Sequence, residues 1–353
     1  MSLPYLQPYF GLSNSLQTAQ AAGGAAAVGG WVELGRTTLG SAGDTITVSS
    51  LADKRYYMVL TDTVNSGTVT NFYRFNNDSG SNYSQRTSSD GGADAAGTSS
   101  PQYDIGLILN TYPEFTVQYL ANLSAKEKLV LSHKVRQNTA GAATAPKRLE
   151  GVGKWANTSS AFNRIDAINN QSGDYAIGSE VVVLGWDPAD THTSNFWEEL
   201  ASVDLSGGTS DNLSSGTFTA KKYLWVQAFM EQDTSSITAN CNFNNDTGSN
   251  YARRRSNDGA TDSTDTSAST IDVRGGETKN RFENMFIINN SANEKLVIGE
   301  HIVATAGVGT APNRTEYVAK WANTSSQITE VDFHNVDPGN YGTKSIIKVW
   351  GAN

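Results

Sequence analysis

The chain has 353 residues, a formal charge of −9 and a charged fraction of 17%, low against about 25% for an ordinary globular domain. A surface made polar by Asn, Ser, Thr and Gly carries no strong field, which argues against a nucleic-acid partner, and no apolar run approaches the roughly 20 residues that cross a bilayer. A single cysteine, Cys241, excludes an internal disulfide framework and a two-cysteine zinc site.

Residues 1–30 open on a segment containing Pro4, Tyr5, Pro8, Tyr9 and Phe10 and end in an Ala/Gly tract. Neither a basic start nor a continuous apolar run is present, so no signal peptide is expected and synthesis in a cytoplasm is. The tract has the composition of a flexible tether. The aromatic segment before it is either a strand or loop packed on its own domain, or an assembly arm docking on a neighbouring subunit.

From Trp31 onward the chain is written twice. Phe75-Asn76-Asn77-Asp78-Ser79-Gly80-Ser81-Asn82-Tyr83 recurs as Phe243-Asn244-Asn245-Asp246-Thr247-Gly248-Ser249-Asn250-Tyr251, and Lys154-Trp155-Ala156-Asn157-Thr158-Ser159-Ser160 recurs unchanged from Lys320 to Ser326. Repeats this far apart are whole domains, not solenoid units. The division is an arm and tether over 1–30, a first domain over 31–186, a linker over 187–196 and a second, homologous domain over 197–353. Cys241 has no counterpart in the first copy, where Arg74 stands at the matching place.

Strands are expected in the first copy at 45–48, 56–60, 71–75, 105–109, 114–120, 128–135, 162–168 and 179–184. The second copy offers 223–229, 239–243, 269–273, 281–288, 295–303, 328–333 and 345–349. All are short, rich in β-branched and aromatic residues, and separated by Gly, Asn, Asp and Ser. About eight strands per copy and no sustained helical period predict an all-β chain of two tandem antiparallel β-sandwiches. A jelly roll fits, and an immunoglobulin-like topology gives a similar trace. The polar stretches 85–102 and 252–267 are expected as long loops, and Arg253-Arg254-Arg255 as a solvated basic run, with phosphate binding as the alternative.

The copied Phe-Asn-Asn-Asp motif reads as a strand end, a tight turn and a strand restart, because Asn, Asp and Gly tolerate positive φ and bond to nearby backbone. Its oxygens also form a weak calcium candidate: Asn76, Asp78 and Asn82, with Asn244, Asp246 and Asn250 in the second copy. Calcium ordinarily takes six to eight oxygens and more than one carboxylate. Trp155 and Trp321 are either core residues or platforms on which a glycan ring stacks. The histidines do not recur at matching positions: His301 aligns with Lys134 and His133 with Glu300. No acid/base pair, phosphate loop or metal triad emerges, so the chain is read as a non-enzyme without a cofactor.

The stretch Arg74 to Tyr83 resembles a turn signature of structural proteins of tailed bacteriophages, Arg-Phe-Asn-x-Asp-x-Gly-x-Asn-Tyr, and the Glu-Lys-Leu-Val segments and closing strands are similar to that group. The second copy departs from it with Asn242 in place of the arginine. The resemblance implies a virion component with jelly-roll-like sandwiches: a capsid decoration or cement protein, or a tail or fibre attachment component. Its partners are other virion proteins and copies of itself, with a homotrimer as one form that suits a particle surface. Two other readings stand beside it, a glycan-binding receptor-recognition module and a double-sandwich capsid building block.

Overall fold

The protein, seen in a computed structural model, is described for residues 30–105, 112–190, 194–305 and 307–353, with backbone alone at 274–277. Pro4, Tyr5, Pro8, Tyr9 and Phe10, expected as an assembly arm, lie outside the described residues, as do most of the strand expected at 105–109 and part of the linker.

The first copy contains β1 (Val32–Thr38), β2 (Thr45–Val48), β3 (Tyr56–Thr63), β4 (Phe72–Phe75), β5 (Tyr83–Ser89), β6 (Ala95–Ser100), β7 (Tyr103–Asp104), β8 (Glu114–Ala121), β9 (Lys128–Arg136), β10 (Lys147–Trp155), β11 (Ile165–Ile168) and β12 (Glu180–Trp186). The second repeats the series as β13 (Glu198–Asp204), β14 (Asn212–Ser214), β15 (Tyr223–Met230), β16 (Ile237–Phe243), β17 (Tyr251–Asn257), β18 (Ser263–Ala268), β19 (Ile271–Glu277), β20 (Arg281–Ile288), β21 (Lys295–Val303), β22 (Asn313–Trp321), β23 (Val331–Asn335) and β24 (Ile346–Ala352).

Within the first copy β1 pairs with β12, β2 with β11, β3 with β8 and β4 with β7, all antiparallel. This nested set of pairs is a jelly roll: β1-β12-β3-β8 lies over β2-β11-β4-β7, and β9-β10-β5-β6 widen the first sheet to eight strands. The second copy has the same order. Alternation places the cores. In β15, Leu224, Val226, Ala228 and Met230 enter the sandwich interior while Trp225, Gln227 and Phe229 face the other way. Trp155, Phe75, Tyr83 and Ile165 fill the first core, with Trp321, Phe243, Tyr251 and Val331 at the same places in the second.

Each copy has more strands than its composition suggested, and the additions have physical causes. The expected loops 85–102 and 252–267 are hairpins, β5–β6 and β17–β18, that form the sheet edge. Their turns carry Asp90-Gly91 and Asp258-Gly259, all at positive φ, the Asp-Gly signal of a two-residue hairpin. Strand β10 was hidden by glycines. A Cβ on Gly153 would sit 2.2 Å from the Tyr103 ring, so the ring fills the space that a side chain would take. Arg253-Arg254-Arg255 is not a solvated run but part of β17. Arg253 and Arg255 reach Asp272, at 3.0 and 3.2 Å, while Arg254 faces the opposite side. In strand register Tyr73, not Arg74, occupies the place of Cys241, and both are fully buried.

Candidate functional site

The copied turn is closed on itself. Asn76 and Asn77 adopt φ of 52° and 56°, Asn244 and Asn245 53° and 55°. Asn76 Nδ2 donates to Ala161 O (2.7 Å) while its Oδ1 accepts from Asn163 and Arg164 N, stitching the turn to the segment before β11. The Asp78 carboxylate accepts from Gly80 N (2.8 Å), Asn82 Nδ2 (2.9 Å) and Trp155 Nε1 (2.7 Å). Partial burial alone would raise its pKa, but these donors outweigh that and hold it below the ordinary value. Asp246, Gly248, Asn250 and Trp321 repeat the arrangement.

Both sequence-based binding candidates look different in this setting. Asn76 and Asn244 are engaged with the 161–164 and 327–330 segments, Asp78 and Asp246 with the turn and the tryptophan. Of the calcium candidate, the side-chain oxygens of Asn76, Asp78, Asn244 and Asp246 accept from donors within the protein, while Asn82 and Asn250 enter the turn as donors. Trp155 and Trp321 are 0% and 1% exposed. A ring without an exposed face offers no stacking surface to a glycan, so the motif is a core plug whose indole N–H is satisfied by the turn. Among the described residues no cluster of three or more His, Cys, Asp or Glu is placed to hold a metal.

Sequence comparison along the chain missed buried ionic pairs that form across strands. In the first sandwich Lys134 on β9 meets Glu114 on β8 at 2.8 Å, and Glu114 also accepts from Asn71. In the second, His301 occupies the place of Lys134 and its Nδ1 lies 2.8 Å from Glu283, whose other oxygen accepts from Tyr317 OH (2.7 Å). Burial pushes Lys134 down and Glu283 up, each offset in part by its partner. A direct Glu283↔His301 register is the signal a strand alignment would have supplied. Both pairs are sealed in sandwich interiors, out of reach of any substrate.

What the copies do present is a face. Their two eight-stranded sheets pack against each other through Met58, Leu60, Phe115, Val117, Val135 and Val182 of the first and Tyr223, Phe286, Leu296, Ile298, Val318 and Trp350 of the second. Ion pairs frame this apolar centre. Arg148 reaches Asp262 (2.7 Å) and Glu316 (3.4 Å), Arg254 reaches Asp90 (3.1 Å), and Lys222 reaches Asp62 (3.2 Å) and Glu180 (3.0 Å). Tyr223 OH donates to Glu180 at 2.7 Å. A cavity of only about 10 Å³ remains between His133, Arg148, Glu150, Ile298 and Glu316, room for one water at most.

The loop from Gln137 to Pro146 completes the contact. Lys320 Nζ donates to Gln137 O (3.2 Å) and to Thr139 O, Gly141 N donates to Glu294, and Ser267 N donates to Ala142 O (2.8 Å). Burial lowers the Lys320 pKa, opposed by Glu294. The matching lysine of the first copy, Lys154, is exposed and pairs with Glu127 at 3.1 Å. One copied residue thus has two fates, which makes the contact between the copies asymmetric.

No family model matches the sequence, and comparison with curated proteins yields no match. Among solved structures, domains LG4-5 of the mouse laminin α1 chain align over 91% of this chain and 90% of that one, at 6% identity and a TM-score of 0.17. A likeness of that size carries no argument.

Proposed function

We propose that the chain is a non-enzymatic structural protein of a tailed-phage virion, acting as a capsid decoration or cement protein or as a tail or fibre attachment component. One observation carries the scaffold half of this reading. The residues most faithfully copied, the Asn-Asn-Asp turn and its tryptophan, spend their polar groups on each other. The chemistry left for partners is a packing face. The resemblance of Arg74 to Tyr83 to a tailed-phage signature supports the virion half, and paired jelly rolls suit a particle surface. The N-terminal segment 1–30 would serve as the arm that docks on a neighbour.

A doubled sandwich that is itself a shell building block is a second reading, favoured by the extensive contact between the copies. The glycan reading has lost its stated platform, because both tryptophans are buried. Purified particles analysed by quantitative mass spectrometry test the proposal. The chain is expected there in fixed stoichiometry, lost when residues 2–30 are deleted. Its absence from particles would overturn the proposal, and a copy number equal to that of the shell lattice would favour the building-block reading.

A further inference from the structure

The contact between the two copies uses different halves of the same sheet face. The first copy contributes the start of β8 and the end of β9, through Phe115 and Val135. The second contributes the end of β20, the start of β21 and the end of β22, through Phe286, Leu296, Ile298 and Val318. Each copy therefore keeps one half of its face unused. The first copy's is apolar and open, and the second copy's carries the exposed Phe282 and Ile302 beside Gln227, Asn284 and Lys348.

In the first copy Leu129, Leu131 and Val152 are 57%, 55% and 48% exposed, whereas their counterparts Leu296, Ile298 and Val318 are buried at 0%, 5% and 1%. Tyr56 is likewise exposed where Tyr223 is buried. In the second copy Phe282 and Ile302 are 39% and 45% exposed where Phe115 and Val135 are buried. Exposed apolar patches on a sheet face call for a partner.

The charged frame is duplicated as well. Arg148, Asp262, Arg254 and Asp90, which pair between the copies, correspond in strand register to Arg314, Asp94, Arg86 and Asp258, all exposed. So is the docking loop. Thr139-Ala140-Gly141 and Thr144-Ala145-Pro146 recur as Thr305-Ala306-Gly307 and Thr310-Ala311-Pro312, and its receiving pair Glu294 and Lys320 recurs as the exposed Glu127 and Lys154. Two parts are not duplicated. Phe229 and Ile346 stand where Asp62 and Glu180 meet Lys222, making the second contact more apolar there. Gln227, Asn284 and Lys348 stand where Leu60, Val117 and Val182 pack, making it more polar in the middle.

We propose that the Phe282–Ile302 face of one chain docks on the Leu129–Leu131–Val152 face of a second copy of this chain, repeating between molecules the contact that joins the two domains within one. Complementarity points to the partner: the exposed apolar residues Leu129, Leu131, Val152, Phe282 and Ile302 and the repeated docking loop have counterparts that already bind one another within the chain. The open charged residues likewise have counterparts in the Arg148–Asp262 and Arg254–Asp90 pairs. Such a contact is heterologous and must propagate until it closes. It gives a ring where its rotation closes and an open head-to-tail string where it does not.

Sedimentation velocity on the full chain tests this with two variants. Phe282→Arg with Ile302→Arg blocks one face, and Leu131→Arg with Val152→Arg blocks the other. All four side chains are exposed, so folding should survive, checked by circular dichroism. The wild type is expected to form concentration-dependent species larger than dimers. Each variant alone should associate about a hundredfold more weakly, and an equimolar mixture should form heterodimers and stop there. A wild type that stays monomeric, a variant that still assembles alone, or a mixture that stays monomeric would each overturn the proposal. So would association that appears only when residues 2–30 are deleted, since the arm would then be the occupant of the open face.

Discussion

At the scale of the residue, the copied Asp78 shows how a turn and a core are tied together. Its carboxylate joins Gly80, Asn82 and the indole of a tryptophan that plugs the sandwich. Asp78→Asn gives up the second acceptor oxygen and leaves a buried indole N–H poorly matched, for an expected loss of about 1–3 kcal/mol in denaturant unfolding. The pH dependence has a defined sign. Because the folded-state pKa lies below the ordinary 3.8, the stabilisation is complete above that value and is lost as pH falls through the folded one. Thermal melts between about pH 2 and pH 6 should show a shallower acid-side decline when Asp78 and Asp246 are both Asn. The turn itself was legible because Asn, Asp and Gly announce positive φ. The fate of Trp155 was not, since an isolated Trp in sequence carries no mark of which way its strand faces.

At the scale of the element, strands with alternating apolar residues were legible and strands whose apolar partner lies elsewhere were not. β8 and β9 appear in the sequence almost at their observed limits. β10 does not, because Gly151 and Gly153 break the pattern and the missing bulk is supplied by Tyr103 from another strand. Gly153→Val therefore should not strengthen the strand despite valine's β preference. It forces a side chain into the Tyr103 ring and should cost about 1–3 kcal/mol, read from the denaturant midpoint. The edge hairpins were hidden for a different reason. Ser, Thr and Ala line β6 on both sides because an edge strand buries little, leaving Asp90-Gly91 as the one local clue.

At the scale of the whole molecule, duplication was plain from the sequence, but its use was not. Aligning two copies identifies what they share, and a contact between different halves of the same face appears only once the strands are in register. Residues that the two copies share, such as Lys154 and Lys320 or Arg86 and Arg254, are solvent-facing in the first copy and engaged across the contact in the second.

Repetition of that contact between chains is most directly tested by disulfide trapping. Ser267 N bonds Ala142 O within the chain, and the matching positions are Ser99 and Val308, both exposed. With Cys241 buried, a Ser99→Cys, Val308→Cys variant oxidised in dilute solution should give a ladder of linked chains on a non-reducing gel, while Ala142→Cys, Ser267→Cys should cross-link as a monomer. A Ser99→Cys, Val308→Cys variant that remains uncross-linked, while the Ala142→Cys, Ser267→Cys control closes, would contradict head-to-tail repetition of the domain contact.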